Sequence, residues 1–126
     1  MKRLTLRHVA VYLTLALILG SLLAVTPVLA SDGMTCPDHA ATVASLRACV
    51  LHAAEMGHID NRGVTNSLLA KLDAAQRALD RGQAAVAIAT LQAFINEVEA
   101  QAGKHIDAEH AAHMVMHANE VITALS

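Results

Sequence analysis

The chain has 126 residues, 55% of them apolar, with 9 Lys/Arg against 11 Asp/Glu, no Trp, one Tyr and one Phe. A mildly acidic chain so poor in aromatic rings lacks the basic stripe and the stacking faces that nucleic-acid binders use, and it has no flat platform for sugars. Its apolar residues are mostly Ala, Leu, Val and Ile; Ala has the highest helix propensity and lets helices approach closely, so the composition favours an all-α fold.

Residues 1–8 carry Lys2, Arg3 and Arg7 and no acid, and an apolar run follows over residues 9–25. Pro27 and then Val28-Leu29-Ala30 complete the pattern of a basic n-region, an apolar h-region and a small-x-small cleavage site. This predicts a signal peptide over 1–30, cut between Ala30 and Ser31, and export to the periplasm or the medium. The competing reading is a retained membrane anchor, although the run is shorter than the ~20 residues a bilayer core needs. A lipoprotein reading would need a Cys directly after the run, and Cys36 stands too far on. Beyond the cut, six Lys/Arg face eleven Asp/Glu, a net charge of −5 with His neutral. The remaining residues suffice for one small domain.

Residues 31–37 are polar, contain Gly33 and Pro37, and read as an N-terminal arm. A four-helix domain is expected over 38–126. Its first helix is predicted from about Asp38 to Met56, with Val43, Leu46, Val50, Ala53 and Ala54 as the apolar stripe and Pro37 suited to the first turn. Gly57 then stops the helix, and Asp60 or Asn61 can cap the next. In the second helix Val64, Leu68, Leu72, Ala75 and Leu79 recur at three- and four-residue steps and share one face. A tight turn follows at Asp80-Arg81-Gly82-Gln83, where Gly82 can take the left-handed conformation that ends a helix. In the third helix Ala84, Ile88, Leu91, Ile95 and Val98 make the stripe. The linker Gly103-Lys104-His105-Ile106-Asp107 repeats the design of Gly57-His58-Ile59-Asp60-Asn61. The fourth helix is predicted from about Asp107 to Leu125, with Ala111, Met114, Val115, Ala118, Val121, Ile122 and Leu125 inward. Short connections make these helices antiparallel neighbours, a small antiparallel four-helix bundle of two hairpins.

Several of these stretches together resemble one known module. Gly57-x-Ile59, GVTNSLLAKLDAA at 63–75, LDRG at 79–82 and LQAFINEVEAQAGKHID at 91–107 are similar to the FIMAH domain, a helical module of bacterial and archaeal extracytoplasmic proteins. The similarity runs from about Leu46 to Leu125. In that family the module is often an appendage of large secreted enzymes or adhesin-like proteins, and it brings no catalytic residues to carry over. The resemblance implies a helical accessory domain, here standing alone behind a signal peptide.

Cys36 and Cys49 are the only cysteines. Export permits oxidation, and an even count favours a bridge. On one continuous helix the two would sit about 20 Å apart, whereas a disulfide needs Cα atoms within about 7 Å. A bridge therefore requires the arm to fold back and the first helix to start later than Asp38; free or intermolecular thiols are the alternative. There is no CxxC redox motif.

His110, His113 and His117 fall within a sector of about 60° on the last helix, with Glu120 beside them. That sector is read as lying opposite the apolar stripe and so as exposed. His113 and His117, four residues apart, could share a zinc, copper or nickel ion; a solvated polar face is the alternative. His39, His52, His58 and His105 read as caps or surface residues. No pattern points to catalysis. Glu97 and Glu99 point apart on a helix, Ser45 and Ser67 have no His–acid pair, and there is no glycine-rich phosphate loop. Small Ala-rich helices leave little room for a pocket. The expected function is thus non-catalytic: an interaction or accessory module for an unknown protein partner or a second copy, without cofactor. A small metal-binding protein is the alternative, and membrane association follows only if the leader is retained.

Overall fold

The computed structural model describes residues 36–126. The leader, its cleavage point and positions 31–35 of the arm lie outside them. Four helices follow in order: α1 (Val43–Glu55), α2 (Arg62–Asp80), α3 (Ala84–Gln101) and α4 (Ala108–Leu125). Among the described residues there is no β-strand, only isolated bridges, and no helix is long and apolar enough to cross a membrane. The bundle is a closed ring: α1 packs on α2 and α4, α2 on α3, and α3 on α4. Side-chain pairs establish the antiparallel sense. Glu97 near the end of α3 takes bonds from Ser67 and Lys71 in the first half of α2. Arg47 near the start of α1 reaches Asp73 beyond the middle of α2 at 2.8 Å.

Each helix boundary has a local cause. Thr42 and Asn61 cap α1 and α2, their side-chain oxygens accepting from Ser45 N and Val64 N; such caps satisfy N–H groups that have no intrahelical partner. At the ends of both helices a glycine takes positive φ, Gly57 at +83° and Gly82 at +70°. His58 N then bonds to Ala53 O and Gly57 N to Ala54 O; Gln83 N and Gly82 N repeat the pattern on Ala78 O and Leu79 O. These are two Schellman closures, and the left-handed cap expected at Gly82 is present.

The core is filled by Phe94, Leu46, Leu68, Leu72, Leu91, Ile106 and Met114, all essentially without solvent contact. α2 buries Val64, Leu68, Leu72 and Ala75 as its pattern predicts, with Ala78 taking the place given to Leu79, which is only partly covered. In α3 the inward line is Ala87, Leu91, Phe94 and Val98, rotated from the expected one: Ala84, Ile88 and Ile95 flank it half-buried. Phe94 explains the rotation, because the largest apolar side chain of the helix claims the centre.

The start of α1 also differs from the expectation. Residues 36–41 are not helical, and α1 begins at Val43 rather than near Asp38. The arm is tied down by its own polar groups. Ser45 Oγ donates to Asp38 O at 2.6 Å, Ala40 N to Asp38 Oδ1 at 3.0 Å, and Thr42 N to Ala40 O at 2.8 Å. A disulfide joins Cys36 to Cys49, with Cα atoms 4.7 Å apart, which a helix starting at Asp38 could not allow.

Candidate functional site

The loops joining α1 to α2 and α3 to α4 carry the same triplet, His58-Ile59-Asp60 and His105-Ile106-Asp107, and they meet. Ile59 and Ile106 form an antiparallel bridge and are buried. Around them the bonding is reciprocal. Asp60 N donates to His105 O and Asp107 N to His58 O, at 3.1 and 2.9 Å. The side chains repeat the exchange, with His58 Nδ1 2.6 Å from Asp107 Oδ2 and His105 Nδ1 2.8 Å from Asp60 Oδ1. Asp107 stands at the N-cap of α4 but makes no side-chain cap bond; its carboxylate is turned to His58 instead. The histidines expected to be mere caps or surface residues thus fasten one hairpin to the other. The signal was on the page of the sequence, in the repeated triplet, but a repeat alone does not say that its two copies touch.

The four residues singled out on α4 separate. His110 and His117 are only 7% and 4% exposed, not solvent-facing as expected. The physical reason is their phase: each sits four residues before a core residue, Met114 and Val121, and so lies about 40° from it around the helix. The sector flanks the apolar stripe rather than opposing it. Burial falls away along the sector, with His113 half-buried and Glu120 exposed.

His110 stacks on His58, ring centroids 3.6 Å apart and planes 14° from parallel. One ligating atom each of His58, Asp107 and His110 lies within 4.8 Å of the others. His117 goes elsewhere: its Nε2 donates to Ala40 O at 2.8 Å, and one ring nitrogen lies within 4.8 Å of both Cys36 Sγ and Cys49 Sγ. His113 and Glu120 join neither group. Imidazole and carboxylate are ligand types for transition metals, so the His58 cluster has the donors for an ion; in the other cluster the two sulfurs are bonded to each other, and only the imidazole is free to ligate. Of the set predicted from the helix alone, His110 falls in the first group and His117 in the second.

Neither a curated protein nor a solved structure matches the chain. A family model does, over residues 43–123. The matched stretch begins with the first residue of α1 and ends within the last turn of α4, so the model describes the four-helix ring and its two meeting loops. With well over half of its length so matched, the chain belongs to the FIMAH domain family.

Proposed function

We propose that this protein is a non-catalytic accessory module that works outside the cytoplasm by contact with another protein or with a second copy of itself. The observation that carries the reading is the Cys36–Cys49 bridge, which staples the arm to the first helix of the FIMAH domain. Such bridges persist in oxidising compartments. The clustered polar groups support the same reading, because each fastens two elements together: His58 to Asp107, His105 to Asp60, Lys71 and Ser67 to Glu97. Leu51, Met56, Val86 and Met116 are large apolar side chains left exposed, and they are the points from which contact is best probed.

The test has two parts. Mass spectrometry of the exported protein is expected to find Ser31 as the first residue and the two cysteines joined. A photo-crosslinking residue placed in turn at Leu51, Met56, Val86 and Met116 is expected to give a discrete adduct from at least one position. An intact N-terminus in the membrane fraction would overturn export; the absence of any adduct, dimers included, from all four positions would overturn the contact role.

A second reading, metal uptake, rests on the convergence of His58, Asp107 and His110. It replaces the set His110, His113, His117 and Glu120. Titration of the disulfide-bonded protein with zinc, copper or nickel is expected to show one site that His58→Ala weakens; equal binding by that variant would remove the reading.

A further inference from the structure

The second cluster lies where the arm, α1 and α4 meet. Cys36, Cys49 and His117 are all buried, at 8%, 4% and 4% exposure. Their two sulfurs and a ring nitrogen fall within 4.8 Å of one another. A carbonyl oxygen can only accept, so the bond to Ala40 O requires that His117 Nε2 carry a proton. In the neutral ring Nδ1 is then a bare lone pair. That Nδ1 is buried and has no hydrogen-bond partner. Buried polar atoms are nearly always satisfied, and an exception asks for a cause. Disulfide sulfurs have no proton to offer it. Two thiols would.

An imidazole whose one N–H is held by a backbone carbonyl, with the other nitrogen bare, is prepared as a metal ligand: such a second bond fixes tautomer and ring orientation at metal-binding histidines. We propose that reduction of the Cys36–Cys49 bridge turns this spot into a site for one zinc ion, ligated by both sulfurs and by the bare nitrogen of His117. An external dithiol supplies two electrons and two protons. The S–S bond breaks, Cys36 and Cys49 become thiols, and the dithiol closes to its own disulfide. Zinc then displaces the two thiol protons to solvent and forms two Zn–S bonds and one Zn–N bond. Two thiolates and Zn²⁺ cancel in charge, which removes the main objection to burial. A Cys₂His set with water in the fourth position is an established form of zinc coordination.

Disulfide and zinc are then alternative closures of one joint. Each pins the arm to α1, and the metal adds α4. The inference does not rest on the accessory role, and it concerns a site separate from the His58 cluster.

The experiment uses the full exported chain, reduced anaerobically with a phosphine, because dithiols bind zinc themselves. Competition against a chromophoric chelator is expected to show one zinc bound through this site, and cobalt substitution to show thiolate-to-cobalt absorption. Neither should occur here in the oxidised chain. His117→Asn is expected to weaken binding at least about tenfold with the thiol count unchanged. X-ray absorption on the zinc-loaded reduced protein reads the ligand set without any variant, so a folding defect in His117→Asn cannot hide the answer. Two sulfurs and one imidazole are expected. No zinc uptake by the reduced chain, undiminished binding by a folded His117→Asn variant, or two sulfurs with no imidazole would each overturn the proposal.

Discussion

At one end of the bundle α2 becomes α3 through Arg81, Gly82 and Gln83, and every bond that closes the turn lies within six residues. At the other end two loops more than forty residues apart in sequence exchange backbone and side-chain bonds. The first end is held by what one glycine permits its own backbone to do. The second is held by groups that meet only after the helices have packed. A local closure can form early and independently of the core, whereas a long-range one adds stability only to the finished bundle. The contrast is open to test by changes that strike both ends, one end, or a single pair.

The largest effect should come from the core both ends share. Leu72 is fully buried in the middle of α2. Leu72→Asp would place an unpaired carboxylate there, at a cost of several kcal/mol against a total stability of about 5–15 kcal/mol. The variant is expected to lose its helical circular dichroism; an unchanged melting temperature would contradict the packing of α2. Next comes the staple. The bridge spans a sequence separation of 13 residues, and closing a loop of that length is worth about 3 kcal/mol in the chain-entropy model. The double variant Cys36→Ala, Cys49→Ala should lose about 2–3 kcal/mol in urea unfolding, with the α2–α3 turn still formed.

The local end should respond to one atom. A Cβ at Gly82 meets nothing within 4 Å, so steric crowding is not at issue and only the backbone at φ +70° resists. Gly82→Val should cost roughly 1–2 kcal/mol. Gln83→Ala in the same turn should stay within about 0.5 kcal/mol, as an ordinary surface change does. Equal effects in thermal melts would mean that the turn does not depend on its left-handed residue.

The same contrast governs what could be read from the chain. The four helices, the glycine stops and the inward face of α2 were legible, because polar residues interrupt its apolar ones at helical spacing. α3 was not legible to the same degree. Residues 84–89 read AAVAIA, so several faces are equally apolar, and only the size of Phe94 settles which one turns inward. On α4 the histidines were visible but their burial was not, since a residue flanking the stripe is covered or exposed according to what packs beside it. For His117 that neighbour is Ala40, in a stretch the sequence assigns to the start of the first helix. The disulfide was conditional on the arm folding back, and the polar bonds around Asp38, Ala40 and Ser45 that hold it so involve residues with no sequence pattern to announce them. The paired triplets carried a signal, but the contact between them is a property of the ring.

The smallest predicted effect is also the one that separates the two ends most finely. His105 and Asp60 pair at 2.8 Å with their side chains 44% and 65% exposed, whereas His58, paired with Asp107, is 26% exposed and lies against the buried His110. Exposed side-chain pairs contribute about 0.2–1 kcal/mol. A double-mutant cycle with His105→Ala and Asp60→Ala should therefore give a coupling of about 0.5 kcal/mol. His58→Ala alone should destabilise more than His105→Ala, because it uncovers His110 as well as breaking a pair. Neither change should couple to Gly82→Val, which lies at the far end and shares no partner with them. A coupling of zero for His105 and Asp60, with His58→Ala no worse than His105→Ala, would leave Ile59, Ile106 and the two backbone bonds to hold the loops together, and the matching histidines and aspartates would then have no part in closing the ring.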